Sequence, residues 1–180
     1  MRWFLKFIYF KALGWKYTGF NDWDTVKKAI IIAAPHTSWH DFYIGVLLRA
    51  ALGIEVNYVG KKALFNSPFG WFFRWTGGVP VNRGNNENQV DAIARLFQEK
   101  ELFRMAMAPE GTRKKVDKWR TGFYYIAKEA SVPIIMFTLD FKNKQNHFSP
   151  PFYPTNDKQS DFKYLRGFFK GVEGKVPEYS

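Results

Sequence analysis

Short apolar runs alternate with amphipathic segments along this chain of 180 residues, and that alternation is its strongest constraint on fold. Strands that alternate with helices normally pair in parallel and bury both faces under the helices. We therefore predict an α/β fold with a largely parallel or mixed central sheet flanked by helices. The predicted strands are residues 29–34, 54–60, 79–82, 102–108, 133–141 and, as a proline-containing edge strand, 148–153. The predicted helices are residues 38–52, 68–75, 86–100, 121–130 and 161–171.

A histidine and an aspartate follow the first predicted strand. On one continuous helix, positions five apart diverge by roughly 140°, so His36 can meet Asp41 only if it precedes the helix. Pro35 blocks helix propagation before His36, and the S-x-x-D pattern from Ser38 to Asp41 predicts Ser38 as the N-cap. We interpret His36 as a general base oriented by Asp41, the usual arrangement for removing a proton from a hydroxyl.

Two other interpretations of this segment remain open. In the first, Asp41 only caps the helix and His36 is an ordinary loop histidine. In the second, His36 and His40 bind a metal. The metal interpretation is the weaker one, because the chain has no cysteine and its remaining histidine is His147. Carboxylates would have to supply the other ligands of a closed zinc site.

Charged side chains follow the other predicted strands as well. Lys61 and Arg83 each come directly after a strand, and Glu110, Gly111, Thr112 and Arg113 follow the strand at 102–108. The carboxyl ends of parallel strands meet at one edge of a sheet, where α/β proteins place their active sites. Arginine binds anionic oxygens in pairs, and glycine permits a tight turn. We expect these residues and His36 to form one site for an acidic substrate, with a solvated surface lysine as the alternative for Lys61.

Composition narrows the class of partner. The formal net charge is +11 and aromatic residues make up 19% of the chain. Positive charge indicates an anionic partner, and the aromatic excess favours a membrane surface or a lipid over duplex nucleic acid. A nucleic-acid or anion-binding module remains an alternative because of the basic run at 113–115. A serine hydrolase is disfavoured because the sequence has no G-x-S-x-G elbow.

The N-terminal segment, residues 1–20, is aromatic and basic, and we predict it as an amphipathic helix that lies in a membrane interface. Packing of this helix on the protein core is the alternative. Residues 21–180 then form a single domain, and no apolar run reaches the roughly 20 residues that span a bilayer. The expected apolar face holds Trp3, Phe4, Phe7 and Phe10, and the opposite face holds Arg2, Lys6 and Tyr9.

Five segments, in order, resemble the motifs of the glycerolipid acyltransferase family. They are His36-x4-Asp41, the glycine-led strand 77–83, the sequence Pro-Glu-Gly-Thr-Arg at 109–113, the turn at 119–123 and the Val-Pro-Ile strand at 132–135. Two positions depart from the family pattern: Pro35 stands where many members have asparagine, and Lys114 where serine is usual.

The resemblance implies a lysophospholipid acyltransferase that acts peripherally on the cytoplasmic face of a membrane. It implies His36 as the catalytic base, held by Asp41, and Arg83, Glu110 and Arg113 as acceptor-binding residues, with the arginines on its phosphate. The donor would be acyl-CoA or acyl-carrier protein, with no cofactor and no nucleic-acid partner. The acceptor would be a lysolipid such as 1-acylglycerol-3-phosphate or, alternatively, lyso-ornithine lipid. The aromatic helix at 69–75 would line an acyl tunnel or belong to the core.

Overall fold

The computed structural model describes residues 2–81 and 89–180. Helices and strands alternate along most of this length. The strands are β1 (Lys16–Gly19), β2 (Lys28–Ala34), β3 (Tyr58–Lys61), β4 (Gly78–Val81), β5 (Phe103–Met107), β6 (Ile134–Thr138) and β7 (Gln145–Phe148). The helices are α1 (Arg2–Lys6), continued by a π-helical segment (Phe7–Ala12), α2 (His40–Leu52), α3 (Lys62–Phe65), α4 (Gly70–Trp75), α5 (Gln89–Glu99), α6 (Gly122–Glu129) and α7 (Lys158–Phe168), followed by a 3₁₀ turn (Pro177–Tyr179).

The central sheet has the strand order β1-β7-β6-β2-β5. All its neighbouring strands are parallel except β6 and β7. The strands β3 and β4 form a separate parallel pair, which joins the sheet through a bridge between Asn57 and Met105. The predicted α/β architecture with a largely parallel sheet is therefore confirmed.

The strand β2 lies at the centre of the core because the six residues that follow Lys28, Ala-Ile-Ile-Ile-Ala-Ala, are apolar on both faces. Ile30 and Ile32 point into a cluster covered by α5 and α6, whereas Ile31 points into a second cluster covered by α2 and the N-terminal helix. Each fully buried side chain of this size contributes about 1.5–3 kcal/mol. Helices therefore cover both faces of the sheet, and the carboxyl end of β2 lies between these two layers of helices.

The N-terminal segment differs from the prediction. Its helical part ends at Ala12, and Lys16–Gly19 is a strand that pairs with β7. Tyr9, placed on the polar face by the sequence pattern, is fully buried, and its hydroxyl donates a hydrogen bond to Asn146. One side of this segment therefore packs on the core, while Trp3, Phe4 and Phe7 stay exposed.

Two other expectations need correction. The last predicted strand is neither at 148–153 nor at a sheet edge, because β7 spans Gln145–Phe148 and lies between β1 and β6. The aromatic helix α4 is not a core helix, since Trp71 and Trp75 are exposed over most of their surface. Among the described residues, no helix combines the length and apolarity needed to cross a bilayer.

Candidate active site

The site begins where β2 and β5 end. These neighbouring strands are parallel, and Ile32 of β2 is in register with Met107 of β5. The chain therefore leaves both strands at the same edge of the sheet, towards His36 in one case and Glu110 in the other. This register brings together two sequence motifs that lie 74 residues apart.

The His36 imidazole contacts the Asp41 carboxylate, with 2.8 Å between Nδ1 and Oδ2. The same oxygen accepts the backbone N–H groups of Thr37 and Ser38, both at 2.9 Å. Asp41 lies in the first turn of α2 and its side chain is only 3% exposed, so the carboxylate holds the His36 loop against the start of the helix.

The predicted capping by Ser38 is wrong. The helix α2 begins at His40 with Trp39 in the N-cap position and no side-chain cap. The Ser38 hydroxyl instead lies 2.8 Å from Nδ1 of His40. The Asp41 carboxylate accepts the backbone N–H groups of Thr37 and Ser38, which precede the helix. In a capping box the acidic residue accepts only one such N–H group, and the serine hydroxyl accepts another.

The environment of His36 sets its tautomer. An ionised carboxylate only accepts hydrogen bonds, so Nδ1 of His36 must carry the hydrogen that Asp41 accepts. The lone pair of the neutral ring is then on Nε2. The arrangement is chemically suited to take a proton at Nε2 and to stabilise the resulting imidazolium through Asp41.

Glu110 supports the His36 loop from the neighbouring strand. Its Oε1 accepts the backbone N–H of His36 at 3.1 Å. Burial raises the pKa of Glu110, while the backbone hydrogen bonds that it accepts act in the opposite direction. Its Oε2 is buried and has no hydrogen-bond partner among the described residues. Leaving such an atom unpaired costs about 1–3 kcal/mol. Glu110 is not among the residues that line the two cavities beside His36.

An open basic cleft of about 550 Å³ lies on one side of His36. Gly111 adopts a φ of +67°, and a β-carbon there would overlap the Arg120 guanidinium. Arg120 therefore lies beside the cleft, although the sequence motifs did not assign it to the site. The sequence signal was its place in the turn at 119–123. The cleft is lined by His36, Ala108, Gly111, Thr112, Arg113 and Lys114.

An apolar cavity of about 290 Å³ lies on the other side, between α2 and the strands β2 and β5. This volume is near the lower end of the range for small-molecule pockets, roughly 300–1,000 Å³. A β-carbon at Gly45 would meet no atom within 4 Å, so the absence of a side chain there enlarges the cavity. His36 and Asp41 line the cavity together with apolar side chains such as Ile31, Ala33, Val46, Leu48, Ile54, Val56, Ala106 and Met107.

Lys61 does not belong to this site. Lys61 ends β3, is exposed, and is not among the residues that line the two cavities beside His36. Arg83 lies outside the described residues. The aromatic residues at 69–75 do not line the apolar cavity, although Phe42, Tyr58 and Thr76 do.

Comparisons with known proteins point in one direction. The family model described as Acyltransferase matches residues 17–139. A chloroplastic 1-acyl-sn-glycerol-3-phosphate acyltransferase of Brassica napus is 28% identical over 109 residues, which cover 58% of this chain and 32% of the relative. A 1-acyl-sn-glycerol-3-phosphate acyltransferase of Streptococcus pneumoniae is 32% identical over 110 residues, 60% of this chain and 40% of the relative. The chain therefore spans about a third of the length of these curated relatives.

The fold has a counterpart among solved structures. The crystal structure of PlsC from Thermotoga maritima, a 1-acyl-sn-glycerophosphate acyltransferase, aligns with a TM-score of 0.59. The alignment covers 93% of this chain and 76% of that protein. At 14% sequence identity, this likeness concerns the fold alone.

Proposed function

This chain belongs to the acyltransferase family, and we propose from that premise that it transfers a fatty acyl group from a thioester donor to a hydroxyl of a lysophospholipid. The acceptor that we favour is 1-acyl-sn-glycerol-3-phosphate, which the names of its relatives also contain. The proposed donor is acyl-CoA or acyl-carrier protein, with no further cofactor.

One observation carries the proposal: His36 lines both the apolar cavity and the basic cleft. An acyl thioester joins an apolar chain to a polar carrier, and a lysophospholipid joins an acyl chain to an anionic headgroup. A base placed between an apolar space and a cationic space is therefore placed where an acyl carbonyl and a headgroup hydroxyl would meet. Proximity of this kind is a large part of catalysis by acyl transfer enzymes.

The mechanism follows from the hydrogen bonds of His36. Nε2 takes the proton of the acceptor hydroxyl while that oxygen attacks the thioester carbonyl carbon. The carbon–oxygen bond forms, the carbonyl becomes a tetrahedral oxyanion, and collapse of that oxyanion breaks the carbon–sulfur bond. The leaving thiolate takes the proton from the His36 imidazolium, which Asp41 stabilises at Nδ1 throughout. No covalent acyl-enzyme is needed.

The basic cleft supports a phosphorylated acceptor. Arg113, Lys114 and Arg120 provide positive charge next to Gly111, and guanidinium groups bind phosphate oxygens in pairs. We assign Arg83 to the same phosphate from its sequence motif, and Thr112 to the wall of the cleft. We also assign Glu110 to the acceptor site from its sequence motif; its Oε1 holds the backbone of His36. A lyso-ornithine acceptor fits these cations less well because its headgroup carries an amine.

The substrate also implies a location. Lysophospholipids reside in bilayers, so we propose that the protein acts peripherally on an anionic membrane, at its cytoplasmic face. The exposed aromatic side chains Trp3, Phe4 and Phe7, next to Arg2 and Lys6, support contact of the N-terminal helix with lipid.

The direct test is an assay of the purified chain with acyl-CoA and acyl-carrier protein against a panel of lysolipids, with products identified by mass spectrometry. We expect phosphatidic acid from 1-acyl-sn-glycerol-3-phosphate, and loss of that product in His36→Ala by roughly 10²–10⁴-fold in kcat. Free fatty acid without acylated lipid would indicate a hydrolase. Acylation of lyso-ornithine lipid alone would identify that lipid, and not 1-acyl-sn-glycerol-3-phosphate, as the acceptor.

A further inference from the structure

The segment from residue 61 to residue 75, which comprises α3 and α4, exposes an unusual amount of apolar surface. Phe69 and Trp71 are each 67% exposed and Trp75 is 63% exposed, and Leu64 and Phe72 are also exposed. Single exposed apolar residues are ordinary on protein surfaces, but such a cluster marks a contact site. We call this cluster the α4 patch.

The α4 patch is held in a defined shape by the residues beneath it. Phe65 and Gly70 are buried, and a β-carbon at Gly70 would overlap the Phe65 carbonyl oxygen. Nη1 of Arg74 donates to that carbonyl at 2.9 Å. The buried Thr76 hydroxyl lies 2.9 Å from the Tyr58 hydroxyl, which ties the end of α4 to β3. These contacts fix the position of the helix α4, from which the exposed rings project.

The charge around the α4 patch selects an anionic partner. Between Glu55 and Glu87 the sequence contains no acidic residue. The exposed cations of the segment are Lys61, Lys62 and Arg74. Tryptophan rings flanked by lysine and arginine are typical of the interface of an anionic bilayer. A second copy of the chain would bring the same positive charge to the interface, which disfavours self-association.

The α4 patch also adjoins one wall of the apolar cavity. The Trp75 carbonyl accepts a hydrogen bond from Arg49 of α2 at 3.4 Å, and Thr76, the next residue, lines the cavity with Phe42 and Tyr58. We propose that residues 61–75 dock on an anionic lipid bilayer and bring the cavity wall formed by Phe42, Tyr58 and Thr76 close to it. The proposal rests on the proposed lipid substrate, and it adds a second membrane contact to the N-terminal helix.

The test compares two variants of the full chain by co-sedimentation with vesicles of phosphatidylcholine and phosphatidylglycerol. Trp71→Ser/Trp75→Ser removes the two tryptophans of the α4 patch and leaves Trp3 and Phe4 in place. Tyr153→Ser/Tyr164→Ser is the matched control, since both tyrosines are exposed but lie outside the segment. We expect the first variant to lose about tenfold in vesicle partition, from the apolar area that no longer inserts, and the control to match the wild type.

A charge variant and an activity measurement complete the test. Lys62→Gln should weaken binding to the anionic vesicles by about fivefold and leave binding to pure phosphatidylcholine unchanged. The tryptophan variant should acylate a monomeric short-chain lysolipid at the wild-type rate and lose rate only on vesicle-embedded acceptor. Binding does not depend on turnover, so an inactive wild type would contradict the proposed function while the partition data still test docking.

Three results would overturn the docking proposal. The first is unchanged vesicle binding of the tryptophan variant. The second is an equal loss of binding in the tyrosine control, which would show that the α4 patch has no special part. The third is a wild-type protein that is dimeric in size-exclusion chromatography and a tryptophan variant that is monomeric, which would assign the patch to contact between copies.

Discussion

Replacement of Asp41 by asparagine separates its chemical role from its structural one. One oxygen, Oδ2, accepts hydrogen bonds from Nδ1 of His36 and from the backbone N–H groups of Thr37 and Ser38. The asparagine amide oxygen accepts the same three hydrogen bonds without charge. The alanine variant removes the acceptor altogether and leaves the two backbone donors unpaired.

The hydrogen bonds give the expected magnitudes. Loss of the charged acceptor removes a contribution of about 1.5–3 kcal/mol to the imidazolium that forms in the transition state. At about 1.36 kcal/mol per tenfold, the kcat of Asp41→Asn should fall roughly 10–150-fold. Its free energy of unfolding should stay near that of the wild type. Asp41→Ala should lose about 2–6 kcal/mol of that free energy, because each of the two donors left unpaired costs about 1–3 kcal/mol.

The assay follows thiol release from acyl-CoA in the presence of lysolipid, together with urea unfolding of each variant. The decisive comparison is the double variant His36→Ala/Asp41→Asn. Because Asp41 acts through His36, this variant should be no slower than His36→Ala alone. A wild-type kcat in Asp41→Asn, or rate losses that multiply in the double variant, would refute the role of Asp41 as the residue that orients the base.

Burial raises the pKa of Glu110 in the folded protein above its ordinary value of 4.5. The folded protein therefore holds this proton more tightly than the unfolded chain does, and the free energy of unfolding of the wild type should fall as the pH rises from 4.5 through the raised pKa. Urea unfolding at pH 5 and pH 8 should show this fall for the wild type and not for Glu110→Gln. Gly45→Leu should fill part of the cavity and lower kcat/KM for long-chain donors by roughly 10–200-fold, while short-chain donors keep their rate; equal loss for all chain lengths would count against acyl binding there. Arg113→Ala should raise the KM for the acceptor by roughly 10–150-fold and that for the donor far less, and the opposite pattern would reassign Arg113 to the donor.

Local patterns were sufficient for the architecture and for the pairing of His36 with Asp41. The alternation of apolar runs with helices depends only on neighbouring residues, and the α/β fold that it predicts is confirmed by the structure. The geometry of the pair also follows from local rules, because Pro35 stops the helix and two residues five apart meet only across a helix start. To place the Glu110 motif beside His36, one further rule was needed, namely that the carboxyl ends of parallel strands lie at the same edge of the sheet.

Tertiary structure alone decided the features that depend on distant partners. Lys16–Gly19 is a strand only because β7, more than 100 residues later, lies beside it, and Tyr9 turns inward because Asn146 offers its hydroxyl a partner. A run of aromatic residues has the same pattern whether it is buried or exposed, so only packing shows that α4 presents its tryptophans to solvent. The space at Gly45 likewise exists because α2 and the sheet leave it open, and a single sequence contains no measure of that distance.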